Sequence, residues 1–186
     1  MKIRDSFLAG FLILVLTSGC AGHLFYASGP YRGQVIDAEP RQPLVGAVVL
    51  AIWYREVPVA PHGPAVDYHD SLEVLTDTKG EFTVPEKTHF TLLGKIREPD
   101  FVVYYPGYTF YPSLGALPQG TAVSAAYAQG VFEFELSKLK TREERIKVGH
   151  PSVWISKVPG EKIPNLVRLV NQERQELGLQ PTRLGR

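Results

Sequence analysis

Residues 33–54 read GQVIDAEPRQPLVGAVVLAIWY, and the fold is decided there. The stretch predicts two antiparallel strands with a loop between them. The first runs from Tyr31 to Asp37. Ala38 to Pro43 form the loop, because Pro40 and Pro43 have no N–H to give to a ladder and disfavour strand interiors. The second strand runs from about Ala47 to Tyr54. Side chains alternate across a strand, so Ala47, Val49, Ala51 and Trp53 share one face and Val48, Leu50, Ile52 and Tyr54 the other. Both faces are apolar, which predicts a strand covered on both sides.

Composition agrees with a β body. The 186 residues are 44% hydrophobic and 21% charged, the balance of a folded chain long enough to bury a core. With 17 Gly, 15 Pro and 11% aromatics, many turns are expected and a helical bundle is not. Between Glu56 and Asp70 the prolines and glycine of VPVAPHGPAVDYHD predict a long loop, a usual place for binding. Leu72–Asp77 and Glu81–Val84 read as a hairpin: Asp77 accepts hydrogen bonds from its own turn, and Gly80 takes the positive φ that closes it. Phe101–Tyr105 is another strand, stopped by Pro106-Gly107. Pro112–Gln129 reads as irregular, and Val131–Leu136 as a strand with Phe132, Phe134 and Leu136 inward.

These residues carry a resemblance. Gly33, Val35, Asp37, Pro43, Leu44, Gly46, Ala47 and Val49, followed by Thr76-Asp77-Thr78-Lys79-Gly80-Glu81-Phe82 and by Pro106-Gly107-Tyr108, resemble the carboxypeptidase regulatory-like domain. The resemblance implies a transthyretin-like antiparallel β-sandwich over residues 31–137, with the aromatic of Pro-Gly-Tyr packed at a corner. It implies a scaffold without peptidase machinery of its own. The enzyme on this fold, hydroxyisourate hydrolase, is marked by a C-terminal Tyr-Arg-Gly-Ser; here Tyr31-Arg32-Gly33-Gln34 stands at the other end.

The first residues are similar to a bacterial lipoprotein signal over 1–19. Lys2 and Arg4 precede an apolar run from Phe7 to Leu16, and Thr17-Ser18-Gly19-Cys20 follows, with Thr17 where the pattern usually has Leu. The run is shorter than the roughly 20 residues a membrane span needs. Cys20 is the only cysteine, so no disulfide forms within the chain. The resemblance implies an acylated Cys20, palmitate included, with membrane lipid as its partner, and Ala21 after it implies the outer membrane, facing the periplasm. Residues 20–30 then form a tether. Leu24, Phe25 and Tyr26 are apolar for one, and either pack on the body or lie among lipid headgroups.

Candidate chemistry is sparse. His62, Asp67 and His69, with Asp70, are residue types that bind zinc, but no helical or hairpin spacing sets them on one face. Asp77 lacks the further carboxylates of a calcium loop. Tyr104, Tyr105, Tyr108, Phe110 and Tyr111 suggest a carbohydrate platform or, more simply, core and corner packing. No nucleophile elbow, phosphate loop, zincin pair or dinucleotide fingerprint occurs, and no cofactor is expected. The expected function is a non-catalytic binding or structural module of the cell envelope with a protein or carbohydrate partner. The alternative is a small hydrolase or metal-dependent enzyme using the His62–Asp70 loop.

Charge divides the chain. Residues 20–137 hold 7 basic and 13 acidic side chains, and residues 138–186 hold 11 and 5. The two halves cancel, which leaves no basic excess for nucleic acid. The basic part reads as a helical extension. Thr141 and Glu144 make a capping box for a first helix to about Lys147. A second runs from Pro164 to about Leu177 with Gly178 behind it and Ile163, Leu166, Val167, Val170 and Leu177 on one stripe. A helix of that length is marginal alone in water, so the stripe is expected to dock on Val48, Leu50 and Ile52.

Overall fold

A computed structural model describes residues 24–59, 63–113, 123–128 and 130–185. Among the described residues the chain is mainly β, with helices confined to the C-terminal part. The strands are β1 (Phe25–Ser28), β2 (Tyr31–Asp37), β3 (Val48–Val59), β4 (Gly63–Leu75), β5 (Glu81–Val84), β6 (Lys87–Phe90), β7 (Lys95–Ile96), β8 (Asp100–Tyr104), β9 (Val123–Ala128) and β10 (Val131–Leu136). Two helices follow, α1 (Arg142–Val148) and α2 (Pro164–Glu176), with a 3-10 turn at Gly160–Lys162 between them.

One sheet has the order β5-β2-β10-β9. In the other, β3 pairs with β4 on one side, and with β8 and β7 along successive stretches. A separate ribbon joins β1 to β6. Among the described residues every strand pairing is antiparallel except β2 with β10, which is parallel from Arg32↔Val131 to Asp37↔Leu136.

The alternation in β3 organises the interior. Val49, Ala51 and Trp53 face the opposite sheet and pack with Val35, Phe82 and Phe134. Val48, Leu50 and Ile52 face outward and are covered by Ile155, Ile163, Leu166 and Val170 of the extension. All three outward side chains are buried, so the helical stripe docks where the apolar second face predicted it.

Glycine makes two close approaches possible. A Cβ on Gly33 would stand 2.4 Å from the Phe132 carbonyl and 2.7 Å from the Phe82 ring, so only hydrogen lets β5 and β10 flank β2 there. Gly80 has φ +72°, a Cβ there would stand 2.7 Å from the Val35 carbonyl, and the Val35 N–H donates to the Gly80 carbonyl at 2.9 Å.

Several sequence expectations change. β2 and β3 do not pair: they belong to opposite sheets, and the Pro40–Pro43 loop carries the chain between them, bridged back only at Ile36↔Pro43. The same holds at the next turn. β4 and β5 were expected to form a hairpin, but β5 pairs with β2 and the Asp77 turn crosses from sheet to sheet. The turn chemistry is local and identical in both cases; which edge receives the strand is decided by long-range packing.

The expected long loop after Glu56 is largely a hairpin. β3 and β4 stay in register out to Val59↔Gly63, with Pro58 opposite Pro64. Prolines fit because no described strand pairs with the other side of β3 beyond Glu56, so a missing N–H breaks nothing there. The expected tether over residues 20–30 is not free chain throughout, since Phe25–Ser28 is strand β1. Part of the expected irregular stretch, Val123–Ala128, is β9, a segment of weak strand propensity held by its pairing with β10.

Candidate functional site

Of the residues singled out by sequence, Cys20 and His62 lie outside the described residues. Asp77 and Gly80 form the crossing turn. Asp77 Oδ1 accepts from Lys79 N–H at 2.8 Å and Glu81 N–H at 2.9 Å, and Gly80 N–H donates to the Asp77 carbonyl at 2.9 Å. The turn is satisfied internally and offers no free ligand set.

Asp67, His69 and Asp70 diverge along β4. Asp67 lies 3.9 Å from the Arg55 guanidinium at the surface. His69 falls where the register shifts, between Tyr54↔Tyr68 and Trp53↔Asp70, so it is the extra residue of a bulge. It meets His89 edge-on with centroids 5.3 Å apart. Asp70 pairs with Lys87 and, at 3.4 Å, with Lys162. Among the described residues no group of three potential ligands could hold a metal ion.

The bulge instead helps seat the β1/β6 ribbon. Ser28 Oγ accepts from Trp53 Nε1 at 2.8 Å and shares a hydrogen bond with the Tyr31 hydroxyl at 2.7 Å. Tyr26 and Tyr31 both donate to the Glu98 carboxylate. His89 is buried, packed against Trp53 at 4.8 Å between centroids, and its Nε2 has no hydrogen-bond partner. Burial, with His69 beside it, lowers the His89 pKa, and burial lowers that of His69. For Asp70 burial acts upward, but the Lys87 ammonium and the Ser71 N–H outweigh it and the pKa falls. Ser28 is held by an indole and a phenol, neither of which is a base at neutral pH, so the cluster has no activated nucleophile.

A more open feature runs along β8. A groove of about 420 Å³ is lined by Tyr54, Asp100, Phe101, Tyr111, Phe132 and Trp154, among others. It passes from the sandwich interior around the β8 edge to the face covered by the extension. Burial and the Asp100 charge raise the Tyr54 pKa, keeping that phenol neutral. Trp154 Nε1 is buried without a hydrogen-bond partner among the described residues. An aromatic wall and one carboxylate can bind a ligand but supply no general acid–base pair. Sequence reasoning missed this groove because its lining comes from six separate segments, and only burial reveals that the Trp154 N–H is unused.

The aromatic run does not form one platform. Tyr104 and Phe110 are buried in the outer core, while Tyr105, Tyr108 and Tyr111 pack against the inner one. Tyr108 donates to Asp37 Oδ2 at 2.9 Å; burial and that carboxylate push its pKa up to about 12.

The extension is bound by carboxylates. Glu173 of α2 is buried and accepts from the Tyr104 hydroxyl, from Gly107 N–H at 3.0 Å and from Arg145 Nε at 2.8 Å. At the other end of α2 the cap residue is Ile163, which has no side-chain oxygen. Glu73 of β4 takes that role, accepting from Asn165 N–H at 2.7 Å and Leu166 N–H at 3.1 Å. A carboxylate there satisfies orphan donors and suits the positive end of the helix dipole.

No family model, curated protein or solved structure matches this chain.

Proposed function

We propose that this chain is a lipid-anchored lipoprotein of the bacterial cell envelope, held in the outer membrane and facing the periplasm, whose transthyretin-like, carboxypeptidase regulatory-like sandwich serves as a non-catalytic binding module. The anchor rests on the sequence: a short positive start, an apolar run and Cys20. The family reading is supported by the two-sheet body, the turn at Asp77–Gly80 and the packing of Tyr108 against the inner core with its hydroxyl on Asp37. Binding rests on one observation, the β8 groove with its aromatic wall and the Asp100 carboxylate beside it. Such a lining suits an aromatic or apolar segment of an envelope protein, or a carbohydrate ring stacked on the aromatic wall with a hydroxyl donating to Asp100.

The alternative, a small hydrolase or metal-dependent enzyme built on His62, Asp67, His69 and Asp70, has less support. Its three described members are turned to separate partners.

Two measurements test the reading. Growth with a labelled fatty acid should mark the wild-type protein and not Cys20→Ser; a marked Ser variant overturns the anchor. Capture from envelope extract should retain partner components with wild type and lose them with Trp154→Ala, which removes part of the aromatic wall. Identical capture by both would remove the groove from the proposal.

A further inference from the structure

One side of the β1/β6 ribbon is uncovered. Phe25 is 61% exposed, Phe90 54%, Leu92 73% and Leu93 68%. Single exposed apolar residues are ordinary, whereas a contiguous group marks an interaction surface. Phe25 and Phe90 are register partners with centroids 5.4 Å apart, and Leu92 and Leu93 follow in the next turn. That turn is pinned. Thr91 N–H donates to the Leu24 carbonyl at 2.9 Å and Thr91 Oγ1 to the Leu93 carbonyl at 2.7 Å. Gly94 lies so close to β3 that a Cβ would stand 2.3 Å from the Glu56 carbonyl. The leucines are thus fixed outward by a built turn rather than left loose.

Chain position identifies what meets them. Leu24 is four residues past Cys20, and four extended links reach at most about 14 Å. An acylated Cys20 has its glyceride at the boundary between headgroups and hydrocarbon, and aromatic and leucine side chains partition into that layer. The apolar tip is therefore tied to the one surface that can cover it without a further partner.

We propose that Phe25, Phe90, Leu92 and Leu93 seat in the interfacial layer of the membrane that holds Cys20, so that the ribbon fixes the orientation of the sandwich as well as its location. This rests on the lipoprotein reading for its membrane. Anchoring by chains alone leaves the body free to tumble on its tether. A second, shallow contact holds β3 with its Glu56 end toward the lipid and its Val48 end away.

The test uses the full protein purified from membranes and reconstituted in phosphatidylethanolamine–phosphatidylglycerol vesicles carrying bromine at shallow acyl positions. Leu92→Trp places a probe in the patch. Val45→Trp places one at the opposite end of β3, about 30 Å away. The wild-type signal from Trp53 and Trp154 is subtracted. Mass spectrometry of the same sample reports whether Cys20 carries acyl chains. Where it does not, its thiol is coupled to a maleimide lipid, so the patch is tested even if the lipoprotein reading fails. The expected result is at least threefold stronger bromine quenching at residue 92 than at residue 45, with a blue shift only at 92. Equal quenching at both positions overturns the proposal. A blue shift at 92 that grows with protein concentration and is indifferent to bromine also overturns it, and assigns the patch to a second copy of the chain.

Discussion

The two terminal parts of the body treat apolar side chains in opposite ways. At the C-terminal end, α2 hides its stripe against the outer face of β3, and Glu173 and Glu73 fix its two ends with six hydrogen bonds, one of them from the Asn165 side-chain amide to Glu73. At the N-terminal end, the β1/β6 ribbon turns its polar side inward, through Ser28, Tyr26 and His89, and leaves Phe25 and Phe90 outside. Apolar character alone therefore does not say what will be buried. The buried polar anchors say it: each element is oriented by the groups that must find partners.

The comparison predicts its largest effect at α2. Deleting residues 164–186 uncovers Val48, Leu50 and Ile52, a loss comparable with the whole stability of a domain, about 5–15 kcal/mol. The truncated chain should bind a hydrophobic dye and show no cooperative melt; an unchanged melting temperature would make the two ends equivalent after all. Glu173→Ala should cost about 3 kcal/mol in chemical denaturation, because Arg145 and the Tyr104 hydroxyl lose their buried acceptor. Gly80→Val should cost at least about 2 kcal/mol, since the positive φ is strained for a β-branched residue and its Cβ would meet the Val35 carbonyl.

Smaller effects belong to the ribbon. His89 is held neutral in the fold, with His69, Asp70 and Lys87 around it, so the unfolded state binds the proton more readily. Stability is complete above the ordinary histidine value of 6.5 and is lost as pH falls below it through the lowered folded value. Melting temperature measured against pH should decline through that window, and the decline should be shallower in His89→Leu, with His69 and His150, whose pKa values burial also lowers, still contributing. Last, Leu92→Ser and Leu93→Ser should change stability by no more than about 0.5 kcal/mol in solution. A larger loss would show that the patch supports the fold.

Period-two alternation was enough to read both faces of β3, and three- and four-residue spacing to read the helical stripe that meets one of them, because each is set within a few residues. Pro164, Gly178, Thr141 and Glu144 likewise act within one helical turn, and the helices begin and end close to where they predict. Strand partners were not legible. Gly33 and Gly80 permit close approach, but nothing near them in sequence says that β5 will choose β2 over β4. The groove was less legible still, since Asp100 and Trp154 are brought together only by packing of the extension. Glu73 as the cap of α2 lies 92 residues from Asn165, beyond any local signal.

The parallel pairing of β2 with β10 has a kinetic consequence. Val131 must find Arg32 across nearly the whole sandwich, and closing a loop of that length carries an entropic cost on the order of 4 kcal/mol before any contact repays it. A chain emerging N-terminus first can form the β3/β4 hairpin early, since its strands adjoin. The other sheet stays at two strands until Leu136 has appeared. Its inner face, with Val35 and Phe82, is open to water or to a chaperone for all of that time, so folding should be slow and limited by this late closure.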